Sequence, residues 1–223
     1  MKPGVTAKVL RGVRWAAIAA VCAAYPVLAH LASADPHPDL LDAAVAIAPL
    51  IALALVLAWR SPQRPRMLLL CLAGCALLYA VSGWLVLHYN WVFLLQHAGM
   101  QALLGLAFAR TLRAGQQPMV SRFAAIIHGS LSPALARYTR QVTWAWTLYF
   151  AVMTTLSLLL FWLAPVNIWS AFANLLNLPL LVVMFSAEYA TRLVLLAPSD
   201  RAGPLEAIRA YRQASAGGLP PSS

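Results

Sequence analysis

The sequence predicts an all-α polytopic membrane protein, a helical bundle of six transmembrane helices with both ends in the cytoplasm. Two observations predict this fold: the composition is very apolar, and the basic residues fall only in alternate connections. Of the 223 residues, 62% are hydrophobic and 10% are charged, whereas soluble domains have roughly 25% charged residues. The mean hydropathy is +0.74. A water-soluble fold of this composition would lack an adequate polar surface.

Six apolar stretches are each long enough to cross a bilayer, which requires about 20 residues. The eight tryptophans lie near the proposed ends of these stretches, as expected for indole rings at the level of the lipid headgroups. We therefore predict a six-span domain over residues 1–197 and a largely disordered cytoplasmic tail over residues 198–223. The spans cover residues 15–34, 40–58, 67–87, 91–109, 142–163 and 168–187.

The basic residues predict the orientation, because cytoplasmic connections of membrane proteins are enriched in Lys and Arg. The N-terminal segment, the second connection, the fourth connection and the chain after the sixth span hold four, three, five and four of them, which accounts for all 16. The other connections hold none, and the first contains Asp35, Asp39 and Asp42 instead. This pattern predicts that the N-terminus and the C-terminus are both cytoplasmic.

The fourth connection is the longest, and it predicts a surface helix. Apolar residues recur there at near-helical spacing, which indicates a cytoplasmic amphipathic segment within residues 118–132. Ser132 and Pro133 are typical of the N-cap and the first position of a following helix. The apolar positions are Val120, Phe123, Ala124, Ile126 and Ile127.

The first candidate site would bind an anion, a lipid headgroup or a protein partner. It consists of Arg122, His128, Arg137 and Arg140. Guanidinium groups and the free N–H groups of a helix start can hold a phosphate, such as an anionic lipid headgroup, an acyl phosphate or a phosphopantetheine. The alternative is the positive-inside rule with ordinary phospholipid contact. Because the basic residues are dispersed between apolar runs, we expect no nucleic-acid partner.

Polar residues inside the spans form the second candidate, because they are costly in lipid and are therefore functional suspects. Gln96, His97 and Gln101 lie in the fourth span, and Asn174 and Asn177 in the sixth. The spacing places His97 and Gln101 on one helix face. The group is open to two interpretations: interhelical hydrogen bonds, or a polar cavity for a substrate headgroup.

Glu188 and Arg192 are four residues apart and predict an interfacial ion pair. We expect no cofactor and no metal. One acidic group on the predicted outer side could bind a metal, but it lacks the defined spacing of a metal site. It consists of Asp35, Asp39 and Asp42 with His37 and His88.

Two stretches carry a resemblance to a known family. They read SRFAAIIHGSLSPALARYTRQVTWAWTLYF, at residues 121–150, and WSAFANLLNLPLLVVMFSAEYATR, at residues 169–192. They resemble a family of small bacterial inner-membrane proteins encoded beside enzymes of aryl-polyene and related fatty-acid-like or polyketide-like synthesis. The resemblance implies a multi-pass inner-membrane location, with membrane lipids and an acyl carrier protein or a membrane-associated acyltransferase as partners.

Some members of that family bear a ketosynthase label, which this sequence does not support. A condensing enzyme needs a cysteine nucleophile on a large soluble fold, and all three cysteines here lie in apolar runs. The chain also has no phosphate-binding loop, nucleophile elbow or HExxH motif. We therefore expect a non-enzymatic accessory protein that supports synthesis, anchoring or export of a lipid-linked product.

Two alternatives remain open. One is an integral-membrane enzyme that acts on an activated acyl or lipid substrate, with His128 as its base. The other is a small transporter that uses the polar residues of the spans, and six spans would have to form a homodimer to enclose such a path.

Overall fold

A computed structural model describes residues 3–35, 37, 39–128 and 131–196, and for residues 3–9, 11, 22, 127 and 128 only their backbone. All regular secondary structure in these residues is helical, so the predicted all-α class is confirmed. The predicted tail, residues 198–223, lies outside the described residues. The helices are α1 (Pro3–Ala34), α2 (Leu40–Arg60), α3 (Arg64–Ala80), α4 (Ser82–Leu94), α5 (Met100–Thr111), α6 (Met119–His128), α7 (Pro133–Leu163), α8 (Val166–Ser170) and α9 (Asn177–Leu195).

Two short π-helical segments interrupt the α-helical hydrogen-bonding pattern. Leu95–Gly99 joins α4 to α5, and Ala171–Leu176 joins α8 to α9. Each segment therefore lies inside one long continuous helix. Single π turns of this kind occur often at functional sites.

Five helices in the described part of the chain are long and apolar enough to cross a membrane. Only 18–28% of each crossing window is buried inside the protein. Most of their apolar surface is therefore available to lipid. The five are Gly12–Ala34, Leu40–Arg60, Ser82–Thr111, Pro133–Leu163 and Val166–Leu195.

The predicted third span differs from the structure. Helix α3 has 17 residues and is about 25 Å long, slightly less than the ~30 Å hydrocarbon layer. The helix breaks at Val81, where φ is −101° and ψ is 15°, instead of at the predicted connection after Leu87. That connection is instead a kink at His88, with φ −126° and ψ 15°, inside a helix that continues to Thr111.

The chain divides into two compact units, and the first comprises residues 1–97 and 157–178. Within it, α2 packs against α1, α3 and α4, and α1 also packs against α8 and the second π segment. Ala29, Ala32, Ala43 and Ala46 are buried there. Such small side chains let membrane helices approach closely.

The second unit comprises residues 98–156 and 179–223. Its core is one face of α7, on which buried side chains recur every three or four residues as the α-helical period requires. The Trp146 ring lies 4.7 Å from that of Phe185, centroid to centroid. The members of this core on α7 are Leu135, Tyr138, Val142, Trp146 and Phe150.

Gly105 lies at the closest approach of α5 to α7 in the second unit. A Cβ atom added to Gly105 would be 3.2 Å from the Cβ atom of Phe150. The backbones of α5 and α7 are therefore in close contact at Gly105. A residue larger than glycine at this position would push the two helices apart.

Candidate functional site

The three predicted arginines all lie in the second unit, and their guanidinium groups bind only neutral acceptors among the described residues. Arg122 donates from Nε to the carbonyl oxygen of Gln117 (3.1 Å) and from Nη2 to Oε1 of Gln116 (3.3 Å). Arg137 donates to the carbonyl oxygen of Pro133 (3.4 Å), and Arg140 to that of Leu112 (3.3 Å). We call these three arginines the basic surface; all three are exposed.

Helix α6 is held in the second unit by hydroxyl groups. Thr111 Oγ1 accepts a hydrogen bond from the backbone N–H of Met119 (2.9 Å), and Thr143 Oγ1 accepts one from Val120 (3.3 Å). The hydroxyls of Ser121 and Thr139 lie 2.7 Å apart, and both side chains are buried. The donors at the start of α6 are thus satisfied, and this fixes the helix that carries Arg122.

Apart from Arg122, the exposed side chains of α6 are apolar. Phe123 and Ile126 are 53% and 45% exposed, while the polar Ser121 is 3% exposed. This is the reverse of a water-soluble surface helix, and it is the arrangement of a helix that lies against lipid. The side chain of His128 lies outside the described part of the chain, so His128 is placed only by its backbone at the end of α6.

Glu188 and Arg192 of the second unit form an ion pair, with 2.6 Å between Oε1 and Nη2. Tyr138 of α7 adds a third member, because its hydroxyl donates to Oε1 and to the carbonyl oxygen of Glu188, each at 3.1 Å. The side chains of Glu188 and Arg192 are 11% and 27% exposed. A groove of about 230 Å³, otherwise largely apolar, opens beside Tyr138 and Glu188.

The predicted intramembrane polar residues fall in both units. Gln96 donates to the carbonyl oxygen of Ala46 (2.6 Å), and His97 Nδ1 lies 2.9 Å from the hydroxyl of Ser157, all within the first unit. Asn177 is a neighbour of the His97 ring in the same unit. Gln101 is buried and belongs to the second unit.

Asn174 belongs to a separate cluster in the first unit, together with His30, Ser33 and Ser170. Its amide Nδ2 is 3.2 Å from the hydroxyl oxygens of both serines. The two serine oxygens are 2.5 Å apart, and His30 Nδ1 is 2.7 Å from Ser170 Oγ. Ser33 and Ser170 are fully buried. Both histidine sites therefore depend on a buried serine of another helix.

Three residues that sequence reasoning did not assign to these clusters complete them. Ser33 and Ser157 are fully buried serines in apolar runs, and the indole Nε1 of Trp169 donates to Ser157 Oγ at 3.1 Å. Trp169 was expected at the headgroup level, but its side chain is fully buried. A serine or tryptophan inside a span carries no signal that distinguishes this role from ordinary packing.

The acidic residues of the first connection accept hydrogen bonds from backbone N–H groups at or just before the start of α2. Asp39 accepts from the backbone N–H groups of Leu41 and Asp42, while Asp42 accepts from that of Asp39, which is a complete capping box. Asp35 accepts from the backbone N–H of His37 at 2.8 Å. Within the residues that the structure describes, no group of three His, Cys, Asp or Glu side chains could hold a metal ion.

The helices and their exposed apolar surfaces define the chain as an α-helical integral membrane protein. No family model, curated protein or solved structure matches it.

Proposed function

We propose that this chain is a non-enzymatic accessory protein of the bacterial inner membrane that holds an anionic partner at its basic surface. One observation carries the proposal: Arg122, Arg137 and Arg140 bind no carboxylate among the described residues, whose one ion pair is Glu188–Arg192. Because these guanidinium groups bind only carbonyl and amide oxygens, no carboxylate in the described part of the chain neutralises their positive charge. They can therefore attract a phosphate or carboxylate ligand.

The partner we favour is an acyl carrier protein, with a membrane-associated acyltransferase as a further candidate. All three arginines lie within residues 121–150, the stretch that resembles proteins encoded beside aryl-polyene synthesis enzymes. A carrier protein that presents acidic residues and a phosphopantetheine group would match the basic surface in charge. The accessory role is then to hold a carrier near the membrane during synthesis, anchoring or export of a lipid-linked product.

Helix α6 supports this placement. Its exposed Phe123 and Ile126 are suited to insertion between lipid headgroups and acyl chains. Arg122 on the same helix would then lie at the membrane surface, within reach of a docked protein or an anionic lipid. Membrane lipids are therefore part of the proposed site.

The carrier-binding proposal is tested with the intact protein in lipid nanodiscs and the phosphopantetheinylated carrier protein of the same strain. We expect the combined variant Arg122→Gln, Arg137→Gln and Arg140→Gln to bind the carrier at least about tenfold more weakly, since several exposed charge contacts of a few tenths to 1 kcal/mol each are lost. The affinity of the wild type should also fall with added salt, because salt screens exposed charges.

A matched control removes the same formal charge elsewhere, by Arg60→Gln, Arg64→Gln and Arg66→Gln. It should change the affinity much less than the basic-surface variant. Equal loss in both variants would mean that only net charge matters, and unchanged binding in the first variant would contradict the proposal. Turnover of an acyl substrate by the purified wild type, abolished by His128→Ala, would replace the accessory role with the enzymatic one.

The proposed orientation requires α3 to act as a sixth, short crossing. Six crossings place both ends in the cytoplasm and all Lys and Arg residues on one side, as the positive-inside rule favours. A short span is tolerated because the bilayer can thin locally. With five crossings, by contrast, the arginines would lie on both sides.

Cysteine labelling tests this orientation. In a background without the three native cysteines, we expect Gln116→Cys to react with a membrane-impermeant maleimide only after cells are broken, because it lies in the predicted cytoplasmic connection. His37→Cys, in the first connection, should react in intact cells. Labelling of Gln116→Cys in intact cells would exclude the six-span orientation and the cytoplasmic carrier site with it.

A further inference from the structure

His30 lies at the end of a chain of hydrogen bonds whose direction can be worked out. The hydroxyl oxygen of Ser33 is 2.6 Å from the carbonyl oxygen of Ala29. A carbonyl cannot donate, so the Ser33 hydrogen must lie between these two oxygens. The 2.5 Å contact between the serines then favours donation from Ser170 to Ser33 over its longer contact with the backbone carbonyl oxygen of His30, at 3.3 Å.

The same assignment of hydrogen atoms determines the tautomer of His30. With its own hydrogen directed to Ser33, Ser170 Oγ can only accept from the ring nitrogen Nδ1 of His30, 2.7 Å away. Nδ1 therefore carries the ring proton, and in the neutral ring Nε2 is left as a bare acceptor. Nε2 makes no hydrogen bond within the described part of the chain.

His30 also lines a groove of about 470 Å³ in the first unit. Asn167 is the other polar residue at the groove, and the remaining lining is apolar, including Leu160, Ile168, Phe172 and Leu176. The groove is formed by helices that are apolar enough to cross a membrane. His30 is four residues from the end of α1, and Asn167 is the second residue of α8. A groove near these helix ends would lie where lipid headgroups meet acyl chains, and an acceptor there favours a ligand that brings its own donor.

We propose that this groove binds a lipid whose headgroup carries an N–H or O–H donor, with His30 Nε2 as the acceptor and the apolar walls against an acyl chain. The buried serines and Asn174 act as positioning residues, because they hold Nδ1 protonated and the ring in place. Asn167 offers a second polar contact at the groove. The site is independent of the basic surface, and its test does not involve the carrier protein.

The first test uses the wild-type protein and native mass spectrometry, with dioleoyl lipids titrated into the detergent-purified protein. The probes are phosphatidylethanolamine, its N-methyl and N,N-dimethyl derivatives, and phosphatidylcholine, which share charge and acyl chains. The first three retain at least one N–H, and phosphatidylcholine has none. We expect the affinity to fall by about fivefold chiefly at the last methylation, as expected for one lost hydrogen bond. A gradual decline, or equal retention of all four lipids, would overturn the proposal.

The second test separates ligand binding from stability. In His30→Asn the amide nitrogen can occupy the position of Nδ1 and donate to Ser170, while the acceptor at the Nε2 position is lost. We expect this variant to keep the wild-type melting temperature and to bind phosphatidylethanolamine no better than phosphatidylcholine. In His30→Gln the longer side chain can present its amide oxygen near the Nε2 position, so part of the preference should return.

A His30→Asn variant that folds and still prefers phosphatidylethanolamine would limit His30 to a structural role. Phosphatidylglycerol, which offers hydroxyl donors without an ammonium group, distinguishes the two donor classes. Retention of phosphatidylglycerol above phosphatidylcholine would extend the ligand class to O–H donors. Should His30→Asn not fold, the methylation series on the wild type still decides the proposal.

Discussion

Replacing Glu188 with alanine is expected to lower the free energy of unfolding by about 2–3 kcal/mol, somewhat below the range for removal of one partner of a fully buried ion pair. The loss arises because the Arg192 guanidinium, whose side chain is 27% exposed, loses the carboxylate of Glu188, and because the Tyr138 hydroxyl loses an acceptor. The measurement is unfolding of the purified protein in mixed micelles on titration with sodium dodecyl sulfate, followed by tryptophan fluorescence.

The matched control for this prediction is a double-mutant cycle with Arg192→Met. Methionine is apolar and has a length similar to the stem of arginine, so the doubly substituted protein contains no unpaired charge at this site. We expect it to be more stable than either single variant, because the cost lies chiefly in stranding one charge. Additive losses in the double variant would show that the two side chains do not interact, in contradiction to the observed 2.6 Å contact.

The ion pair is a contact that the sequence could predict, and the reason is local. Glu188 and Arg192 are four residues apart, and the α-helical period alone brings such residues together. The third member, Tyr138, is 50 positions away in the chain. Nothing in the local pattern of either helix indicates which side chain of another helix will lie beside Glu188.

The same limit applies to the polar residues of the first unit. His30 and Ser170 are 140 positions apart, and His97 and Ser157 are 60 positions apart. Hydropathy predicts that these residues lie in spans and helical periodicity predicts their face, but the partner depends on how the helices pack. The sequence therefore suggested which residues could belong to a polar cluster. Which of them form hydrogen bonds with one another is known only from the structure.

The π-helical segment Leu95–Gly99 bears on one expectation from the sequence. The sequence placed His97 and Gln101 on one face because they are four residues apart. The π segment Leu95–Gly99 contains His97 and ends before Gln101, and its wider turn changes the helical phase between them. His97 bonds to Ser157 in the first unit, and Gln101 is buried in the second. Their placement on one helix face stays a prediction.

Composition and charge predicted the class of protein well, because they report directly on the surrounding solvent. The apolar runs found helices that can cross a bilayer, with five meeting the length and hydropathy required. The boundary between the third and fourth predicted spans was wrong because His88, Tyr89 and Asn90 suggested a polar loop. In the structure these residues are helical, and the Tyr89 hydroxyl donates to the carbonyl oxygen of Asp35 at 3.2 Å.

The close helix contact in the second unit leads to the other large expected effect. Gly105→Leu is expected to destabilise the protein by about 2–3 kcal/mol, the upper part of the range for overpacking a tight contact. A Cβ atom at Gly105 already lies 3.2 Å from Phe150 Cβ, and the neighbouring atoms of Phe150 and Ala151 include backbone that cannot rotate away. The larger leucine side chain must therefore push α5 away from α7.

Gly105→Ala should have a smaller effect, below about 1 kcal/mol, because a shift of a few tenths of an ångström relieves the contact and alanine favours the helix more than glycine does. Gly74→Leu is the matched control, since a Cβ atom at Gly74 meets nothing within 4 Å. It should leave the melting temperature unchanged or raise it, because leucine also has the higher helix propensity. Trp146, whose ring centroid lies 5.6 Å from that of Phe150, reports on the contact by its fluorescence. Equal melting temperatures for Gly105→Leu and the wild type would show that α5 does not approach α7 as closely as the structure indicates.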